Sequence, residues 1–289
     1  MQLVIFCSNL CYIIIMIVLL IRRRLVNKQQ IVKILRIVLL AGIPTATLLQ
    51  ELAVLISYDA SAHYFVANAP LPIFANILTA LLFASAIICA LITPKTDLNG
   101  SPFGKQIWVA IPAALGFGIS GAFLLMEYLE TKAPLTLVAA ILLLLSALQV
   151  LLSETGCKFS ALGYIPPLAC ASLICILYFD VSLEMNAPLK VGVQCALLPL
   201  MLYFTAELRY LIGRELPRLF VALALGSLAA SSLCLLTVPV ASATGIFENS
   251  YCLIAAIAVI GINATVALRQ WRYFRIPEIP SPENRYEGD

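Results

Sequence analysis

PLTLVAAILLLLSALQVLL, residues 134–152, runs from Pro134 to Leu152 without one charged side chain. At about 1.5 Å per residue such a helix covers roughly the 30 Å hydrocarbon thickness of a bilayer. Eight further stretches of the same kind fill most of the chain, at residues 2–21, 34–57, 71–93, 107–127, 161–179, 189–208, 218–238 and 250–268. In hydrocarbon every backbone amide must find a partner within the protein, which leaves helices as the way for these segments to cross. The expected fold is therefore an all-α, polytopic integral membrane helix bundle of about nine transmembrane helices.

Composition agrees with that reading. Hydrophobic residues make up 62% of the 289 and charged residues 11%, where soluble domains carry about 25% charged; mean hydropathy is +1.00. No connection between spans is long enough to bury a core of its own. Residues 1–275 are expected to form a single transmembrane helical domain. Residues 276–289, with Pro277, Pro280 and Pro282 among acidic residues, read as a short disordered cytoplasmic tail.

Charge placement sets the orientation. With the N-terminus outside, all of the 18 basic residues except Lys132 and Lys190 fall on inner segments, beginning with Arg22, Arg23, Arg24, Lys28, Lys33 and Arg36. This bias predicts N-out and C-in. The first span has no basic region before it, three arginines after it and no small-residue cleavage pattern, so it reads as an uncleaved helix rather than a signal peptide. Tyr58, Tyr128, Tyr178 and Tyr251 fall at expected outer ends, and Trp108, Tyr164, Tyr210, Trp271 and Tyr273 at inner ends, as interfacial anchors do.

Prolines expose a repeat. Pro44, Pro112, Pro166 and Pro217 lie near the inner ends of the inward-to-outward helices, while Ala69-Pro70-Leu71, Ala133-Pro134-Leu135 and Ala187-Pro188-Leu189 open the helices that return. The chain thus reads as one helix plus four helical hairpins. Pro70, Pro134 and Pro188 suit a first helical turn, where the missing N–H costs nothing. Pro44, Pro112, Pro166 and Pro199 are expected deeper, where they kink a helix or free a carbonyl.

Few polar side chains fall within the spans. Glu51 is the carboxylate placed inside one, with Gln50 beside it and Thr47 four residues back on the same face. It reads either as a functional carboxylate or as a side chain reaching for the outer interface. Asn9, Asn76, Gln149, Gln194 and Asn263 place one amide on each outward-to-inward helix; such amides join helices, and they also line solute paths. Gly116, Gly118, Ser120 and Gly121 would let helices approach closely. At the inner face, Glu207, Arg209, Arg214, Glu215 and Arg218 form a charged cluster that reads as an interfacial salt-bridge network or a docking site. Arg22, Arg23 and Arg24 have the same two readings, with anionic lipid as a further partner.

Catalytic signals are missing. The single histidine, His63, excludes bis-histidine haem ligation, and the nine cysteines include no CxxC pair, so no metal, cofactor or disulfide framework is expected. No paired acidic motif for a magnesium-bound pyrophosphate and no phosphate loop occur, and nothing suggests nucleic acid as a partner. The remaining expectations are a permease-like transporter of a small molecule or ion, using Glu51 and the amides, or a membrane-embedded anchor or receptor subunit docking a cytoplasmic or redox partner. A bacterial plasma membrane is the expected home, with the lipid bilayer as the constant partner.

Overall fold

The computed structural model describes residues 28–93, 106–155, 160–214 and 216–275. The span expected at 2–21, Arg22, Arg23, Arg24, Glu215, the segments around Asp97 and Lys158, and the tail 276–289 lie outside the described residues.

The chain is an all-α bundle, and a multi-pass membrane protein by the length and apolarity of its helices. Its elements are α1 (Lys28–Ser57), a hairpin of two short strands β1 (Tyr58–Asp59) and β2 (Tyr64–Phe65), α2 (Pro70–Ile92), α3 (Ile111–Thr131), α4 (Pro134–Thr155), α5 (Ile165–Phe179), α6 (Pro188–Leu211), α7 (Pro217–Ser231), α8 (Thr237–Ala243) and α9 (Ser250–Arg275). Among the described residues seven helices are long and apolar enough to cross a membrane, all but α7 and α8. Helices α1 and α2, α3 and α4, and α5 and α6 pack as antiparallel neighbours, and α9 runs against α3, α6 and α7. The central helices are α6 and α9, each 61% buried over its most apolar window against 33% for α1, α2 and α3. The end carrying Arg209, Arg214 and Arg218 is called the inner end here, following the charge bias.

Prolines at the helix starts fall where an absent N–H is harmless. Pro70, Pro134, Pro188 and Pro217 open α2, α4, α6 and α7. Pro112 and Pro166 differ from expectation: short 3₁₀ turns at Ile107–Val109 and Ser160–Tyr164 take up the inner ends, so both prolines sit in the first turn of α3 and α5 rather than kinking them. Pro44 and Pro199 lie inside α1 and α6, as expected.

Small residues set the closest crossing. Gly116 of α3 faces Gly261 of α9 so tightly that a Cβ on Gly261 would lie 2.4 Å from the Pro112 carbonyl oxygen and 2.7 Å from the Gly116 Cα. Two polar bonds lock the pair, since the Ala113 N–H, an orphan donor of the first turn, donates to Thr265 Oγ1 at 2.9 Å and Ser120 Oγ donates to the Ile254 carbonyl at 2.8 Å. Gly121 likewise admits Leu144 of α4, whereas Gly118 has open space around it.

The continuous helix expected at 218–238 is broken. After Ser231 the amides of Ser232, Leu233 and Cys234 bond three residues back, to Ala229, Ala230 and Ser231, and regular helix resumes only at Thr237. Two local causes coincide. Ser231 and Ser232 donate their hydroxyls to the carbonyls of Ser227 and Ala229, which competes with regular helix. Pro239 has no amide hydrogen and is tolerated in a first turn, so a new helix starts just before it. Helix α7 alone rises about 22 Å, short of the hydrocarbon thickness.

Candidate functional site

Five helices and the β-hairpin meet around a cavity of about 530 Å³. Helix α1 contributes Gln50 and Val54, α2 contributes Asn76, Thr79 and Phe83, and the first half of α6 contributes Leu189, Val191 and Cys195. The end of α7 supplies Ala230, the helix break Leu233, and α8 Thr237. Gln50 lies about 24 Å along α1 from Ile34 and Asn76 about 9 Å from the start of α2, so the cavity lies toward the end of the bundle opposite Arg209, Arg214 and Arg218.

A polar chain crosses its wall. Gln50 Nε2 donates to Asn76 Oδ1 at 2.9 Å and reaches Thr79 Oγ1 at 3.4 Å. The Thr79 hydroxyl lies 3.1 Å from that of Ser232, in the break itself. Behind it, Asn263 of α9 donates to Ser231 Oγ at 2.7 Å. Four helices, α1, α2, α7 and α9, are thus tied by amides and hydroxyls, and none of the cavity's lining residues among those described is charged. Such a site disfavours an ionic ligand, because a charge taken from water into it meets no counter-ion.

The amide pair is incompletely used. Gln50 is buried, 4% exposed, yet among the described residues its Oε1 and the Asn76 Nδ2 have no hydrogen-bond partner. Reversing both amides would exchange the roles of the atoms but would still leave one donor and one acceptor over.

The outer end is roofed by the β-hairpin. Phe65 lines the cavity and meets Tyr58 edge-to-face at 5.7 Å, and Tyr58 in turn meets Phe247 at 6.5 Å. Burial pushes the Tyr58 hydroxyl up to about 12, so it is uncharged at neutral pH. The Tyr64 hydroxyl straps the hairpin to the α5–α6 connection, 2.7 Å from Glu184 Oε2 and also in contact with Asn186. Beside the strap, Asn249 Nδ2 donates to Asp180 Oδ2 at 2.7 Å, and the fully buried Lys190 donates to the carbonyl oxygens of Asp180 and Leu183. Burial raises the Asp180 carboxyl, but hydrogen bonds from Ser182 and Asn249 and the Lys190 charge outweigh it and hold the group below the ordinary carboxylate range.

The other expected site residues are dispersed. Glu51 is half-buried and outside the cavity lining; Thr47 donates to its own helix at Ile43. Gln149 is buried on α4 with its Oε1 unpartnered, and Gln194 is partly exposed on α6. Arg209, Arg214 and Arg218 are exposed at the inner end, where Arg218 Nε donates to the Thr93 carbonyl at 3.3 Å.

A second polar centre went unread in the sequence. Arg269, fully buried on α9, bonds Glu154 of α4 through Nε at 2.9 Å and Glu207 of α6 through an Nη at 2.7 Å, while Arg272 reaches the other oxygen of Glu154 at 3.2 Å. Ser153 and Tyr203 accept further bonds from Arg269. Two cations face two carboxylates, which clamps α4, α6 and α9 together at the inner end. The charge pattern places Arg269 on an inner segment and Glu207 in the charged cluster at the inner face; both are buried in the core. Tyr210, expected at the interface, is also buried and packs on Phe220 at 5.1 Å.

Among the described residues no three His, Cys, Asp or Glu side chains gather as a metal site would require. Compared with family models, curated proteins and solved structures, the chain matches none.

Proposed function

We propose that this protein is a permease-like membrane carrier whose cavity between α1, α2, α6, α7 and α8 holds a small uncharged molecule. The observation that carries the reading is the coincidence of the helix break with the cavity: Ser232 of the break bonds Thr79, which bonds Gln50, and the next residue of the break, Leu233, lines the same space. Broken helices recur in transporters because irregular backbone at membrane depth is tolerated where it lines a cavity, and because such a joint lets two half-helices move separately. The cavity volume lies within the range of small-molecule sites, about 300–1,000 Å³. The amide pair supplies orientation and the apolar walls supply desolvation. The clamp around Arg269 gives the inner halves of α4, α6 and α9 a fixed frame against which α7 and α8 can shift.

The test is flux in proteoliposomes with uncharged hydroxyl-bearing probes of graded lipophilicity, from glycerol to 1-octanoylglycerol. At least one probe should exchange faster than in protein-free vesicles, and Gln50→Leu and Asn76→Leu should slow it about tenfold, the worth of one lost hydrogen bond. Equal rates with and without protein for every probe, or unaltered rates in both variants, would contradict the proposal.

A further inference from the structure

The walls of the cavity differ from side to side. Helices α2 and α6 both pack on α7 rather than chiefly on each other, so the space between them is a groove with α7 as its floor. Among the described residues nothing covers either rim: Asn76, Ala80 and Phe83 form an exposed stripe on α2, and Val191 and Cys195 are exposed on α6. These positions lie within the membrane spans, so the opening faces acyl chains. The outer, aqueous end is covered instead by Phe65 and the Tyr64 strap.

Chemistry at the back of the groove narrows the ligand further. The spare donor and acceptor of Gln50 and Asn76 match a group that itself both donates and accepts, such as a hydroxyl or a primary amide. Around them Val54, Phe83, Leu189, Val191 and Leu233 offer only apolar contact. A water-soluble polar solute would leave most of its own hydrogen bonds unmet there.

We infer that the site takes an uncharged amphiphile dissolved in the bilayer, which enters sideways between α2 and α6 and sets a hydroxyl or amide head against Gln50 and Asn76. This rests on the carrier reading above and specifies its substrate class and route.

Tryptophan fluorescence of the full chain in vesicles tests it, with Trp108→Phe and Trp271→Phe as background and Phe83→Trp as reporter. Val191→Trp serves as a second reporter on the opposite rim, and Ile141→Trp, on the exposed face of α4, as a lipid-facing standard. Phospholipids brominated in their acyl chains should quench both groove reporters as strongly as the standard, while external iodide leaves them unchanged. Unbrominated 1-oleoylglycerol should then protect the groove reporters saturably, and Asn76→Leu should weaken that protection about tenfold. Quenching by iodide and not by brominated lipid would overturn the lateral route, while the glycerol end of the flux series still judges the carrier reading. Quenching by neither would mean that protein, a second copy or another segment of this chain, covers the groove, and would also overturn the proposal. Lipid quenching without protection by 1-oleoylglycerol would overturn the ligand class alone.

Discussion

Replacing Arg269 by leucine removes the centre of the inner clamp, and the structure sets the size of the effect. The guanidinium holds Glu154 at 2.9 Å and Glu207 at 2.7 Å, with those carboxylate side chains 0% and 7% exposed. In Arg269→Leu, Glu154 keeps Arg272 at 3.2 Å, but Glu207 loses its ion-pair partner while remaining buried. Breaking one side of a buried pair costs about 3–5 kcal/mol, most of it the penalty of a stranded charge. Arg269→Lys keeps the charge but cannot span both carboxylates from one nitrogen, so it should lose about 1.5–3 kcal/mol, one charge-assisted bond. Arg269→Leu combined with Glu207→Leu should recover part of the first loss, because the stranded charge is gone. Equilibrium unfolding in mixed detergent and SDS micelles, followed by circular dichroism, measures all three. If Arg269→Leu stays within about 0.5 kcal/mol of wild type, the range of ordinary surface changes, the clamp contributes nothing and the reasoning fails.

Three further outcomes follow from the same contacts. Gly261→Ala should destabilise the α3–α9 crossing by about 1–3 kcal/mol through overpacking, whereas Gly118→Ala, with no atom near its Cβ, should be neutral or slightly stabilising in the same unfolding assay. Because the folded pKa of Asp180 lies below its unfolded value, its stabilisation is present above the unfolded pKa and is lost as pH falls through the folded one. The thermal stability advantage of wild type over Asp180→Asn should therefore hold near neutrality and shrink below about pH 4; a constant difference would contradict it. Tyr64→Phe should loosen the hairpin strap, seen as faster proteolysis between Asp59 and Tyr64 with unchanged helicity, and wild-type proteolysis rates would show that Glu184 and Asn186 do not hold it.

Hydropathy makes the spans and their hairpin pairing legible, since the cost of unpaired amides in lipid acts on every residue of a segment. It also singles out Asn76, as an amide within a span, and Gln50, as the neighbour of Glu51; the two lie 2.9 Å apart. It could not tell them from Gln194 or Gln149, which face elsewhere, for the choice depends on helix rotation. The break at Ser232 was hidden because serines and alanines keep the run apolar; Pro239, placed where only a first turn accepts it, was the available signal. The clamp was missed through a boundary. Ending the helix at residue 152 left Glu154 outside it, and the partners of Arg269 lie 115 and 62 residues away in sequence, a separation that no local pattern encodes.

The joint and the cavity are claimed to act as one unit, and amide hydrogen exchange across residues 229–237 examines that directly. In vesicles without ligand the amides of Ser232 to Leu236 should exchange faster than those of the α7 core. Addition of 1-oleoylglycerol should slow them in wild type and not in Asn76→Leu. Exchange at the joint that is indifferent to the amphiphile would contradict the account.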